Sequence, residues 1–254
     1  MKLVSTLAIL VAFAPAFVFG EDARVPVIVE LFTSEGCSSC PPADALLARL
    51  EKTQPVAGAR VVALEEHVDY WNQLGWVDPF SAALYRVRQN DYARLFLVDS
   101  VYTPQMIVGG QAGFVGSDMD RAYQEISRAA AKPLASVQLR TARNARDPDL
   151  LDLLVQVNDR GARGGADVYM AVTEENLSSN VSRGENSGRL LKHAPVVRSF
   201  GVIGKFEPRK VGEVQLSPTL QLPREWKREN LRAVVFVQDR GNRRITGAGT
   251  IDLR

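Results

Sequence analysis

The sequence predicts an α/β domain followed by an all-β, sandwich-like domain. Apolar β-branched runs alternate with helical stripes up to residue 132, whereas strand-like segments alone recur from residue 134 onward. With 254 residues, 46% of them hydrophobic, the chain is long enough for two ordinary domains. We place these domains at 24–132 and 134–254, with the break near Ala131-Lys132-Pro133.

The first twenty residues are typical of an export signal. Lys2 gives a positive start, Leu3 to Ala14 is a mostly apolar run broken by Pro15, and Val18-Phe19-Gly20 suits cleavage. The run falls short of the roughly 20 apolar residues that span a bilayer, and we find no such stretch later. We therefore expect cleavage near Gly20, a mature chain without a membrane span, and a periplasmic or secreted location.

The charge balance excludes one class of partner. The 31 Lys and Arg residues nearly equal the 29 Asp and Glu residues, and no basic run is interleaved with aromatic residues. A nucleic-acid-binding surface needs such a concentration of positive charge. We therefore expect no nucleic acid partner.

The first half predicts the element order β-α-β-α-β-β-α. Val25 to Phe32 is a nearly continuous apolar run, typical of a strand buried on both faces, and Leu46, Leu47 and Leu50 form a helical stripe. The remaining elements are a strand over Arg60 to Val68, a helix over Pro79 to Leu97, strands over Tyr102 to Val108 and up to Val115, and a helix from Ser117 or Asp118 to Ala131.

The second half contains short strand-like segments separated by Gly, Asn, Asp and Pro turns, as in an antiparallel sandwich. They are Ser136 to Arg140, Leu150 to Val157, Asp167 to Thr173, Pro195 to Phe200, Glu213 to Leu216, Ala233 to Gln238 and Ile245 to Ile251. Arg183 to Arg189 is polar and glycine-rich, which favours a turn that contacts the first domain. We assign this half no chemistry.

Cys37 and Cys40, the two cysteines of the chain, are the main candidates for chemistry. A disulfide across so short a loop adds little stability, so a purely structural link is the weaker interpretation. Zinc normally has four ligands, and His67 and His193 lie in different halves of the chain without a zinc spacing. We therefore predict a reactive dithiol, with no metal and no cofactor.

The dithiol lies where a strand passes into a helix. Pro41 and Pro42 fit the first helical turn, whose N–H groups have no intrahelical partner. Free N–H groups and the helix dipole favour a thiolate on Cys37. Cys37 is therefore the expected attacking thiol and Cys40 the resolving one.

Several motifs support a resemblance to known proteins. They are Glu30 to Asp44, His67 to Trp71, Gly75-Trp76 with Asp78-Pro79-Phe80, Tyr102 to Gln105, and Arg183 to Asn186 with Gly188-Arg189. On these motifs the sequence resembles the thioredoxin-like superfamily and, within it, the exported bacterial family DUF1223. The resemblance implies a thioredoxin-like fold for the first domain. It also implies a cis Thr103-Pro104 bond, with Pro104 facing the dithiol.

The sequence departs from thioredoxin around the cysteines. Ser38-Ser39 replaces Gly-Pro between them, and Gly36 stands where thioredoxin has a tryptophan. Because this dipeptide helps to set thiol pKa and redox potential, the resemblance does not tell whether the protein oxidises or reduces its partner.

Glu30 and His67 are further site candidates. Thioredoxin has a buried acid near the position of Glu30 that assists its resolving cysteine. If Glu30 is buried, it could serve Cys40 as a base. If Glu30 instead lies on an exposed strand end, it has no role in catalysis. His67 follows a strand at the sheet edge where sites often lie. It is either catalytic or a packed histidine with a hydrogen-bonded ring.

Two functions follow from the sequence. The first is an exported thiol-disulfide oxidoreductase that acts through Cys37 and Cys40 on a protein or a small thiol. The alternative is a periplasmic binding or assembly module that uses the β-rich domain, with the first domain as scaffold.

Overall fold

The computed structural model describes residues 24–131, 134–144, 147, 150–159, 165–207 and 212–254. The expected export signal at 1–20 lies outside these ranges, and so do residues 132 and 133 of the expected domain break. The elements are β1 (Val25–Thr33), α1 (Pro41–Thr53), β2 (Ala59–His67), α2 (Ala83–Phe96), β3 (Gln105–Val108), β4 (Ala112–Val115), α3 (Met119–Ala130), β5 (Ala135–Arg143), β6 (Leu150–Asp159), β7 (Ala166–Glu174), β8 (Ser178–Asn180), β9 (Leu190–Lys192), β10 (Val196–Phe206), β11 (Gly212–Leu216), β12 (Thr219–Gln221), β13 (Leu231–Asp239) and β14 (Ile245–Asp252).

The element order predicted for the first half is confirmed. Helix α3 begins after Asp118, whose carboxylate accepts a hydrogen bond from the Arg121 N–H at 3.0 Å. Helix α2 begins four residues later than predicted, because Asp78 holds a turn there. Its carboxylate accepts a hydrogen bond from the Phe80 N–H at 2.9 Å, and its carbonyl accepts one from the Ser81 N–H at 3.2 Å.

The predicted fold class is wrong, because the two halves share one sheet. Eight strands form a mixed sheet in the order β14-β13-β7-β10-β2-β1-β3-β4. Strand β2 is parallel to β1 on one edge and meets β10 on the other, where the Glu65 N–H donates to the Pro195 carbonyl at 3.0 Å. There is accordingly no separate α/β domain followed by a separate sandwich.

The two halves share one sheet because β2 needs a partner strand on each edge. Burial extends along nearly the whole of this strand, and a buried strand needs hydrogen-bonding partners on both of its edges. Local periodicity predicts that a strand forms but not which distant strand pairs with it. The domain limits 24–132 and 134–254 stay a prediction.

Apolar cores cover both faces of the large sheet. Helices α1 and α3 pack on one face of β1, through residues such as Val29, Leu31, Leu47 and Ile126. Helix α2 packs on the other face, against Ile28 and Phe32. A smaller sheet of β5, β6, β11 and β12 packs on the part of the large sheet that the second half supplies. None of the described helices is long and apolar enough to cross a membrane.

A substitution where β5 approaches β14 tests the packing of the two sheets. A Cβ atom on Gly247 would lie 2.2 Å from the Ala135 carbonyl oxygen. We expect Gly247→Ala to lower the free energy of unfolding by about 2 kcal/mol, because backbone must move to admit the methyl group. Gly201→Ala in β10, where a Cβ atom meets open space, is the matched control. Chemical denaturation measures both variants, and equal stabilities would contradict the β5–β14 contact.

Candidate functional site

A disulfide joins Cys37 and Cys40 at the start of α1, with their Cα atoms 5.4 Å apart. Cys40 is the N-cap residue, and its carbonyl accepts hydrogen bonds from the N–H groups of Ala43 and Asp44 at 2.8 and 3.1 Å. Both cysteines are 0% exposed, whereas Ser38 and Ser39 between them are exposed. Solvent therefore reaches the dipeptide between the cysteines but not the sulfur atoms.

The loop at 183–189, which connects β8 to β9, covers the disulfide segment. The buried Asn186 side chain donates hydrogen bonds to the carbonyls of Glu35 and Cys37, each at 2.9 Å. The Glu185 carboxylate accepts a hydrogen bond from the Ser38 N–H at 3.0 Å, and the side chain and backbone of Ser38 together lower the pKa of Glu185. The turn predicted for this segment thus contacts the backbone of the disulfide segment.

Pro104 lies beside the first turn of α1. The Thr103-Pro104 bond is cis, as the resemblance implied. The Cβ atoms of Pro104 and Ala43 lie 3.1 and 3.0 Å from the point that a Cβ atom on Gly116 would occupy. The Trp71 indole N–H donates to the Thr103 hydroxyl at 2.8 Å, and Trp71 also packs against Gly36. Trp71 therefore links the turn before Cys37 to the residue before Pro104.

Glu30 is buried, but its contacts are with α2. Its neighbours Ile28 and Phe32 have side chains in the core on the α2 face, whereas α1 packs on the opposite face. The Glu30 carboxylate accepts hydrogen bonds from the Arg88 guanidinium and, at 2.5 Å, from the Tyr92 hydroxyl. The role of Glu30 as a base for Cys40 stays a prediction.

His67 belongs to a buried cluster with His193, and their ring centroids are 5.0 Å apart. His67 Nε2 and His193 Nδ1 lie 3.2 and 3.1 Å from the same oxygen, Glu65 Oε1. Their other ring nitrogens contact carboxylates: His67 Nδ1 is 2.7 Å from Asp78 Oδ2, and His193 Nε2 is 3.0 Å from Glu35 Oε1. A role for His67 in dithiol catalysis stays a prediction.

Burial and the neighbouring carboxylates shift the pKa values of both histidines. Burial alone would lower the pKa of His67, but Asp78 and Glu65 raise it well above the ordinary value. Burial likewise opposes the charge on His193, yet hydrogen bonds to Glu35 and Glu65 raise its pKa to about 9. The surrounding carboxylates therefore favour the protonated form of both imidazoles.

The pKa of Asp44, an acidic residue of α1, is shifted by the same cluster. Burial, together with the charge of Glu65, raises the pKa of Asp44 to about 8. The Thr33 hydroxyl donates to this carboxyl group at 2.6 Å. The first turn of α1 thus links the disulfide segment to the histidine cluster.

Sequence reasoning missed His193, Glu65 and Glu35. The distance along the chain between the two histidines argued against a shared site, but the pairing of β10 with β2 brings them together. One local signal was available, because Glu65 and His67 are two residues apart on one strand and therefore project from the same face.

Comparisons with known proteins identify the family. The family model described as "Protein of unknown function (DUF1223)" matches residues 28–238. No curated protein matches the chain. The crystal structure of protein AGR_C_4864 from Agrobacterium tumefaciens is similar, with a TM-score of 0.68, 27% identity, and coverage of 91% of this chain and 96% of that one. HBP35 of Porphyromonas gingivalis shares the fold alone, with a TM-score of 0.60, 15% identity, and coverage of 91% and 76%. The family match spans more than half of the sequence, and the chain belongs to the DUF1223 family.

Proposed function

We propose that the protein is an exported thiol-disulfide oxidoreductase that acts through Cys37 and Cys40 on a disulfide- or thiol-bearing protein or small thiol. The observation that supports this most is the Cys37–Cys40 disulfide at the N-terminus of α1. The positive end of a helix dipole stabilises a thiolate and so favours thiol-disulfide exchange at this position. Location in the periplasm or outside the cell is part of the proposal, since disulfides persist there.

The exchange proceeds in two steps. In the reducing direction, the Cys37 thiolate attacks a substrate disulfide, forms a mixed disulfide and releases one substrate thiolate. The Cys40 thiolate then attacks the Cys37 sulfur, which closes the Cys37–Cys40 disulfide and releases the second substrate thiolate. The protein loses two electrons and the substrate gains them. The same steps in reverse oxidise a substrate dithiol.

Trapping of the mixed disulfide tests this proposal. We expect Cys40→Ala, expressed with the export signal intact, to accumulate partners that a reductant releases, because no resolving thiol remains. Cys37→Ala is the matched control and should capture few or none. Alkylation in acid, non-reducing electrophoresis and mass spectrometry of the released partners measure the difference, which we expect to be at least about tenfold.

If both variants capture the same partners in equal amounts, the oxidoreductase proposal is rejected. The complete burial of both cysteines then favours a structural disulfide, with binding or assembly through the β-rich half as the function.

A further inference from the structure

We propose that Glu65, His67 and His193 form a binding site for one divalent transition-metal ion, with Zn²⁺ as the representative member of the class. Asp78 and Glu35 orient the two imidazoles. This site is separate from the dithiol, and it does not depend on the proposed oxidoreductase function.

The first argument is the arrangement of the three inner atoms. Glu65 Oε1, His67 Nε2 and His193 Nδ1 all lie within 4.8 Å of one another, and both nitrogens are 3.1–3.2 Å from the oxygen. A tetrahedral ion about 2.0–2.1 Å from each of its ligands separates those ligands by about 3.3 Å. Both nitrogen–oxygen distances already match this separation, and the two nitrogens, which lie within 4.8 Å of each other, would move to about 3.3 Å apart when an ion binds.

The second argument is the outer shell of carboxylates. A histidine that binds a metal commonly donates its other ring N–H to a carboxylate, which fixes its tautomer. Both histidines have this arrangement, His67 with Asp78 and His193 with Glu35.

Both outer carboxylates are in turn held in place. Asp78 accepts hydrogen bonds from the N–H groups of Glu35 and Phe80, at 2.8 and 2.9 Å. Glu35 accepts one from the Trp76 indole N–H at 2.7 Å. The inner nitrogens of the two imidazoles are therefore fixed in their direction toward Glu65.

The third argument is an oxygen without a partner. Glu65 is 0% exposed, and within the described part of the chain its Oε2 atom makes no hydrogen bond. A buried carboxylate oxygen without a partner is unfavourable, and native structures contain few of them. A cation bound beside Oε1 would satisfy Oε2 through bidentate or water-mediated contact.

The fourth argument is the chemistry of the ligand set. The three inner ligands are two imidazole nitrogens and one carboxylate oxygen. Two imidazoles and one carboxylate suit zinc, iron or nickel better than the oxygen-preferring ions magnesium and calcium.

Zinc titration of the oxidised full-length protein tests the proposal, because the Cys37–Cys40 disulfide then cannot supply thiolate ligands. After removal of metal by a chelator, we expect one Zn²⁺ per chain in competition with a chromophoric chelator, with Kd below about 10 µM. Glu65→Gln keeps the side-chain shape and should weaken binding at least about 100-fold, and His67→Ala should do the same. Asp69→Asn, at the partly exposed ion pair with Arg86, is the control and should bind as the wild type does.

A second readout uses the oxidised wild type, so it tests the site even if a variant fails to fold. His67 and His193 are the only histidines in the chain, so Co²⁺ added to the oxidised wild type should give visible absorption bands of nitrogen and oxygen ligation, and both imidazole NMR signals should shift. Zinc should raise the Tm of the wild type by about 5 °C and leave that of Glu65→Gln unchanged. Failure of the oxidised wild type to bind Zn²⁺ or Co²⁺ saturably, or equal binding by Glu65→Gln, overturns the site and leaves the dithiol proposal untouched.

Discussion

Replacing Arg88 by Met is expected to lower the free energy of unfolding by about 4 kcal/mol. The Arg88 side chain is 5% exposed, and its guanidinium donates to Glu30, to the Tyr92 hydroxyl and to Gln238. It also lies over four aromatic rings, with centroid distances of 4.7–5.5 Å to Tyr92, Tyr169, Phe200 and Phe236. Methionine fills much of the space but leaves the buried Glu30 carboxylate without its cation, which is the main source of the loss.

Arg86→Met is the matched control, because Arg86 belongs to the same helix and pairs with Asp69 where both side chains are partly exposed. It should cost less than about 1 kcal/mol. The double variant Arg88→Met with Glu30→Gln should recover part of the loss, because it removes the uncompensated charge. Urea unfolding measures all three variants, and equal losses for Arg86→Met and Arg88→Met would contradict the buried pairing.

Asn186→Ala is expected to speed the reduction of the Cys37–Cys40 disulfide by about 30- to 150-fold. The change removes both hydrogen bonds from Asn186 to the carbonyls of Glu35 and Cys37 and leaves those groups without this partner. The loss of two such bonds is worth about 2–3 kcal/mol, which shifts the equilibrium of the 183–189 loop toward an open state. Reduction by dithiothreitol, followed by timed maleimide labelling, measures the rate.

Two controls separate opening of the loop from general unfolding. Ser187→Ala removes only the hydrogen bond from an exposed hydroxyl to the Ser182 carbonyl and should change the rate by less than about twofold. Gly247→Ala lowers global stability at a distant contact and should leave the rate nearly unchanged. An Asn186→Ala rate equal to that of the wild type would show that the loop does not limit access to the sulfur atoms.

Parts of the fold and site follow from local sequence. The continuous apolar run of β1 predicts a strand buried on both faces, and the stripe of Leu46, Leu47 and Leu50 predicts a helix because its apolar residues recur at helical spacing. The Cys37–Cys40 pair was predicted as a dithiol, and it forms a disulfide at the start of α1. Strands β8, β9 and β12 were missed, because each has three residues and too little pattern to read.

The sequence by itself determined the order of elements in the first half, the candidate dithiol and the family of the protein. Only the tertiary structure decided that β10 extends the sheet at β2, that Asn186 covers the disulfide segment, and that His67 meets His193. The physical reason is the range of the interactions. Periodicity and turn residues act over a few positions, whereas pairing at the edge of a strand depends on which distant strand completes its hydrogen bonds. The cluster of His67 and His193 can therefore be identified only once the pairing of β10 with β2 is known.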